Sequence, residues 1–219
     1  DVIYDPVGGD LLGVLVEVLR PPPKGTVRDA VQAREVGIPG LDTWGFVPYP
    51  VKALQVRASK LRACQLQAGD LVFAIKGSVG KVGLVGPDVL ENDRQAGDKL
   101  PWVVSQSCIG LRLRPGAGIS PVYLYMFLRS ERGRELIDAL RVGAVIPHVT
   151  PVALLEEIRV PRPSPAELKR AEKVFQSLRR IEAEIAAKLL ERDRSAKTLW
   201  PIPKDETDRG PQPKSADDE

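Results

Sequence analysis

The residues of this chain whose types could do chemistry together lie in one short loop, Lys76-Gly77-Ser78-Val79-Gly80-Lys81. Two glycines allow positive φ without steric cost, and the loop then presents backbone N–H groups, one hydroxyl and two ammonium groups. Such a set binds an anion, and a nucleic-acid backbone is one candidate; the plain alternative is a surface hairpin with solubilising lysines. The loop is not a phosphate-binding P-loop. That motif needs four residues between its glycines and Ser or Thr after the lysine, whereas here two intervene and Val82 follows. His148 is the only histidine, which leaves a histidine triad or a His-rich zinc site with one member at most. Within Ile146-Pro147-His148 it fits a structural loop residue. Cys64 and Cys108 are far apart without CxxC spacing, so both are expected to be free, reduced, small core residues of a cytoplasmic protein. No pair of carboxylates stands out as acid and base. Asp5-Pro6-Val7-Gly8-Gly9-Asp10 lacks the GxG of the AdoMet loop of amino-methyltransferases, and no Asn/Asp-Pro-Pro-Tyr/Phe motif occurs. The residue types point to binding, with no catalytic residue, cofactor or metal expected.

The elements that must position this loop follow from pattern. Gly69-Asp70 is a turn signal, and Leu71–Ile75 and Val82–Val85 are short apolar runs on either side, so the sequence predicts a hairpin over 69–85. Upstream, Leu11–Leu19 is strand-like or helical and stops at Pro21-Pro22-Pro23, which can continue neither a helix nor an interior strand. Val36–Ile38, Phe46–Tyr49 and Leu54–Val56 are strand candidates between Gly and Pro punctuation. Residues 86–101 are a polar loop, and Trp102–Leu113 is a strand pair or one bent strand. Pro121–Leu128, opening on Ser120, is predicted helical; a second helix leads from Ser130 to about Leu140; Val152–Leu155 is one helical turn and Glu157–Val160 a strand.

The strongest local signal is Ser164-Pro165-Ala166-Glu167, a capping box with Pro at the first helical position. From there to about Lys197 neither Gly nor Pro occurs. Leu168, Phe175, Leu178, Ile181, Ile185 and Leu189 fall on one apolar stripe flanked by charge. A helix of this length would run on the order of 45–50 Å, and a narrow apolar seam on so long a helix calls for a partner helix. The alternative is a helix folded back over its own domain.

Composition sets wide limits. The chain has 219 residues, 43% of them hydrophobic, with a net charge of +3. Residues 201–219 carry a net −3 and residues 1–200 a net +6, which is compatible with a polyanionic partner without requiring one. The Pro-rich, charged residues 200–219 are expected to be disordered. No apolar run approaches the roughly 18 residues of a membrane span, and no signal-peptide pattern opens the chain.

Four segments taken in order carry a resemblance: Leu12–Leu19 (LGVLVEVL), Ala68–Val85 (AGDLVFAIKGSVGKVGLV), Val104–Leu113 (VSQSCIGLRL) with Ser120–Leu128 (SPVYLYMFL), and Gly143–Pro163 (GAVIPHVTPVALLEEIRVPRP). Over roughly residues 10–195 they resemble a target-recognition domain of the specificity subunit of Type I restriction-modification systems. In that family a GD-apolar strand, a G-T-x-G-K-like loop, a VSQ strand, an xPxYLYxxL helix, a GxxIPHL loop and an I-x-V-P-x-P strand precede a long helix. The family usually has Glu-Gln at the start of that helix, where this chain has Glu167-Leu168. It also carries two recognition domains and two helices against one of each here. The resemblance thus implies a half-subunit, or the C-terminal domain of a fused N6-adenine methyltransferase, which the absence of an initiator Met slightly favours.

The resemblance implies an α+β fold: a mixed, largely antiparallel sheet or barrel-like recognition domain with small helices over 1–163, a long coiled-coil-type spacer or dimerisation helix over 164–199, and a tail over 200–219. It implies a non-catalytic module that binds double-stranded DNA and directs a partner or fused adenine-N6 methyltransferase, with a homodimer through the helix possible. Residues suited to DNA contact are Lys76, Ser78, Lys81, Arg94, Lys99, Trp44, Lys52 and Gln106, the last able to read adenine bidentately. Leu168, Phe175, Leu178, Ile181, Ile185 and Leu189 form the docking face. The base readers are expected among the less patterned stretches around Asp42–Lys52 and Asn92–Trp102. The rival reading is a protein-interaction adaptor that works through the helix and tail without DNA contact.

Overall fold

The computed structural model describes residues 8–24, 29–41, 52–86 and 100–199. The chain divides into two units, Asp1–Gln176 and Ser177–Glu219. The division falls inside the long helix, because the side chain of Phe175 is buried in the core of the first unit.

Alternation along two strands organises the first unit. Strand β5 (Leu71–Ala74) is the only strand of four residues buried throughout among the described residues, with β8 (Cys108–Leu113) on one side and β6 (Val82–Leu84) on the other. Successive side chains of a strand point to opposite faces. Leu71 and Phe73 accordingly enter one apolar cluster together with Ile109 and Leu111, while Val72 and Ala74 enter a second with Cys108. β2 (Val16–Leu19) completes a four-stranded antiparallel sheet in the order β2-β8-β5-β6. The second cluster is closed by a three-stranded sheet of β3 (Ala30–Val36), β4 (Lys52–Arg57) and β7 (Trp102–Val104), where β3 runs antiparallel to β4 and parallel to β7. Trp102–Leu113 is therefore two strands in different sheets. These sheets are mixed and mainly antiparallel as expected, but the described strands do not close into a barrel.

Leu11–Leu19 combines both predicted conformations. Its residues form β1 (Asp10–Leu11), the single helical turn α1 (Leu12–Leu15), and β2. β1 pairs with β9 (Arg159–Val160), and the approach is so close that a Cβ on Gly9 would lie 2.7 Å from the Val160 carbonyl oxygen. A bidentate ion pair from Arg162 to Asp10, at 2.7 and 2.6 Å, reinforces this joint and holds the Asp10 carboxyl below the usual range. The helix α2 (Ala58–Cys64) carried no sequence signal strong enough to predict it.

Two of the other helices start at their predicted caps, Ser120 and Ser130, while the single turn expected at Val152–Leu155 is a longer helix that opens on Thr150. Ser120 accepts from Tyr123 N–H to open α3 (Pro121–Arg129), Ser130 from Gly133 to open α4 (Glu131–Ala139), and Thr150 from Ala153 to open α5 (Pro151–Glu157). Helix α6 (Pro165–Leu199) begins with the predicted capping box. Ser164 N–H donates to Glu167 Oε2 at 2.7 Å and Glu167 N–H to Ser164 Oγ at 3.3 Å, and the former bond lowers the Glu167 pKa. Phe175 meets Tyr125 of α3 edge-on, with centroids 5.6 Å apart.

One buried charge fixes the hairpin. Gly69, at φ +89°, turns the chain into β5, and Asp70 follows with only 2% of its surface exposed. Arg112 of β8 grips the Asp70 carboxylate with two bonds, Nε to Oδ1 at 2.9 Å and Nη2 to Oδ2 at 2.7 Å. Gln67 N–H adds a third at 2.7 Å, and Arg112 also reaches the Gln65 carbonyl. Removing one partner of a buried pair leaves the other charge uncompensated. Asp70→Ala is expected to lower stability in urea unfolding by about 3 kcal/mol, with the joint change Asp70→Leu plus Arg112→Met costing less than that single change.

Candidate nucleic-acid interface

Four connections converge at one end of β5. The hairpin tip, 75–81, is the first; Gly77 and Gly80 have φ of +74° and +84°, as the turn requires. The β7–β8 turn, Ser105–Ser107, is the second: the Ser107 carbonyl accepts from Ile75 N–H at 2.8 Å and Lys76 N–H at 3.3 Å. The third is the loop from Val142 to His148. Its Pro147 carbonyl accepts from Gly77 N–H at 3.1 Å, and His148 pairs through its backbone with both Val142 and Lys76. The fourth is the 3-10 turn Ile38–Gly40 after β3, which leads into residues 42–51. Ser105 N–H bonds Val36 there, and Gly37 leaves room for the Ser105 side chain.

The two lysines of the tip differ in role. Lys76 and Ser78 are exposed, and no described residue pairs with either side chain. Lys81 turns inward: its ammonium group donates to the Leu41 and Ile38 carbonyls, capping the end of the 3-10 turn. Lys81 thus ties the tip to the start of the 42–51 connection. Gln106 is exposed on the neighbouring turn. It lines a groove with Lys52, Lys24, Gln55 and Glu35, in which Lys52 lies 3.6 Å from the Glu35 carboxylate. Four of the predicted contact residues, Lys76, Ser78, Lys81 and Gln106, therefore come together, and Lys52 shares a groove with the last. Trp44, Arg94 and Lys99 lie outside the described residues, as does most of both stretches expected to hold base readers.

His148 holds the loop cluster together through its main chain, with Nδ1 3.4 Å from the Ile146 carbonyl oxygen. The cysteine thiols are buried, and burial pushes both pKa values up. Among the described residues no group of three or more metal-ligating side chains assembles.

The apolar stripe of α6 divides between the two units. Phe175 is buried within the globular unit, so its bulk is committed to that core and not to a docking face; Leu168 is half-buried there. In the second unit Leu178 is half-buried, whereas Ile181, Ile185 and Leu189 are 44–46% exposed, an unusual state for a row of aliphatic side chains.

Sequence reasoning missed a group of arginines beside the tip. Arg129, Arg134 and Arg141 line a cleft of about 370 Å³ against Ser78–Val82. The available signal was the clustering of Arg129, Arg132, Arg134 and Arg141 within thirteen residues.

No family model matches the chain. Among curated proteins it is 30% identical over 139 residues to the specificity subunit of the Type I restriction enzyme StySPI from Salmonella potsdam; the match covers 58% of this chain and 30% of that protein. Among solved structures, the S subunit of a Type I restriction-modification system from M. genitalium matches 87% of this chain and 43% of its own, with 16% identity and a TM-score of 0.52. The HsdS subunit from Thermoanaerobacter tengcongensis matches 88% and 41%, with 17% identity and a TM-score of 0.50. The chain thus spans less than half the length of these proteins.

The contrast between the two lysines is measurable. Lys81→Met strips two carbonyls of a charged donor and is expected to cost about 1.5–3 kcal/mol in urea unfolding, while Lys76→Met stays within about 0.5 kcal/mol of wild type. The chain is thus similar in sequence to part of one Type I specificity subunit and shares its fold with part of two others.

Proposed function

We propose that this chain is a non-catalytic, sequence-specific DNA-binding module that directs an adenine-N6 methyltransferase and restriction complex to its target site. The observation that carries this is the convergence of four loops, with Lys76, Ser78 and Gln106 exposed on them, on the fold of a specificity subunit. Lysine sets the register by contacting phosphate, and Gln and Ser supply hydrogen bonds to base edges. The site of action is cytoplasmic DNA, and no helix among the described residues is long and apolar enough to cross a membrane.

The methyltransferase is a separate subunit or a domain fused to this chain, and it carries the AdoMet chemistry. The exposed row Ile181, Ile185 and Leu189 on α6 is the docking seam, either for a second copy of the chain or for the methyltransferase. The domains proposed are 1–163 for recognition, 164–199 for the spacer helix and 200–219 for the tail. The adaptor alternative leaves the exposed loop residues without a role.

Selection from a random duplex pool, with the methyltransferase subunit present, is expected to enrich one sequence, and a pool with no enrichment overturns the reading. In the same assay Lys76→Glu should weaken binding about five- to tenfold and make its salt dependence shallower, with urea unfolding unchanged. For the helix, Ile181→Asp with Ile185→Asp should abolish self-association or methyltransferase binding in sedimentation while the thermal melt of the globular unit is retained; a wild-type chain that stays monomeric with no partner contradicts the seam.

A further inference from the structure

We infer that the cleft between the hairpin tip and helices α3 and α4 is a phosphodiester-binding site that grips the DNA backbone beside the base-reading loops. The inference rests on the DNA-binding reading above and adds a site that the motifs of the chain do not mark. One wall is Ser78–Val82; the other is Arg129 at the end of α3 with Arg134, Asp138 and Arg141 along α4 and just past it. The walls are fixed to each other. A Cβ on Gly80 would lie 3.2 Å from Ile137 Cγ2, so the tip sits directly on α4, and Arg141 Nη2 donates to the Val79 carbonyl at 2.9 Å.

Charge in the cleft is unbalanced. Its lining carries three guanidinium groups, Arg129, Arg134 and Arg141, and one carboxylate, Asp138. Asp138 pairs with Arg141 at 2.8 Å, again through Nη2, so both of these contacts of that guanidinium use the same nitrogen. Arg129 stacks over the Tyr125 ring with its carbon 5.4 Å from the centroid, an arrangement that positions the guanidinium. Arg134 is exposed and has no carboxylate partner among the described residues. Ser78 adds a hydroxyl from the opposite wall.

Several guanidinium forks and one hydroxyl around an open cleft suit an anion with oxygens in several directions, as a phosphodiester has; a lone carboxylate would engage one fork. Lys76 lies on the same tip, so the positive surface continues from the cleft towards the loop cluster, as a polyanion requires. None of these groups needs to meet a base. The site therefore contributes affinity and register on any sequence and does not choose one.

The test is fluorescence anisotropy of the full chain, with its methyltransferase subunit, on the duplex enriched from the random pool and on a scrambled duplex, across a salt series. Arg134→Glu is expected to weaken both duplexes equally, about tenfold, and to make the log–log salt slope shallower by about one. Arg134→Lys should recover most of the loss, and Arg62→Glu on α2, the same charge change away from the cleft, should have a much smaller effect. Thermal melts of the variants should match wild type. The proposal is overturned if Arg134→Glu does no more than Arg62→Glu, if it affects only the enriched duplex, or if DNA affinity survives while methyltransferase binding is lost, which would make the ligand an acidic protein surface. Wild-type protein that binds neither duplex even at low salt overturns the DNA-binding reading and this site with it, a result distinct from the other three.

Discussion

The Asp70–Arg112 pair is the constraint on which the rest of the globular unit depends. It links the turn before β5 to the strand beside it by two charge-assisted bonds, in a place with 2% exposure at the carboxylate. Burial makes the pair intolerant of a lost partner and equally intolerant of a shifted one. It thereby fixes the pairing of Val72 with Gly110 and Phe73 with Ile109. A slip of one residue would move Leu71 and Phe73 into the second core and Val72 and Ala74 into the first. Both cores, and the place at which the hairpin tip emerges, follow from that register.

Where the tip emerges decides what its residues can do. Backbone bonds from Ile75, Lys76 and Gly77 join it to the β7–β8 turn and to the Pro147–His148 loop, so the tip is held on both sides. Lys81 then extends the scaffold to a third connection by capping carbonyls with its charge. A cation that holds the loops in place and a cation that faces solvent sit five residues apart, and only the second is available to a ligand. Preorganisation of this kind reduces the ordering cost of binding.

The long helix is read differently in its two parts. Its first three turns belong to the globular unit, where Phe175 fills space beside Tyr125. Beyond Gln176 the same periodic stripe continues with its aliphatic residues exposed. One sequence pattern thus serves a core and then leaves an unpartnered surface, because periodicity records which residues share a face and not what covers that face.

The sequence by itself determined what is encoded within a few residues. The caps at Ser120, Ser130 and Ser164 place helix starts because a side-chain oxygen and an N–H group three residues on are the whole interaction. The Gly69-Asp70 turn, the hairpin and the order of the four motifs were legible for the same reason, and they carried the resemblance to specificity subunits. Tertiary structure alone decided the rest. The parallel partnership of β3 with β7, the inward turn of Lys81, the burial of Phe175 and the arginine cleft each join residues distant in sequence. Helix α2 escaped because its short run carries no cap. Which groups a lysine or an arginine meets depends on strand register set by Asp70 and Arg112, which stand 42 residues apart. Chain entropy allows many such pairings, and only packing of the assembled core selects one.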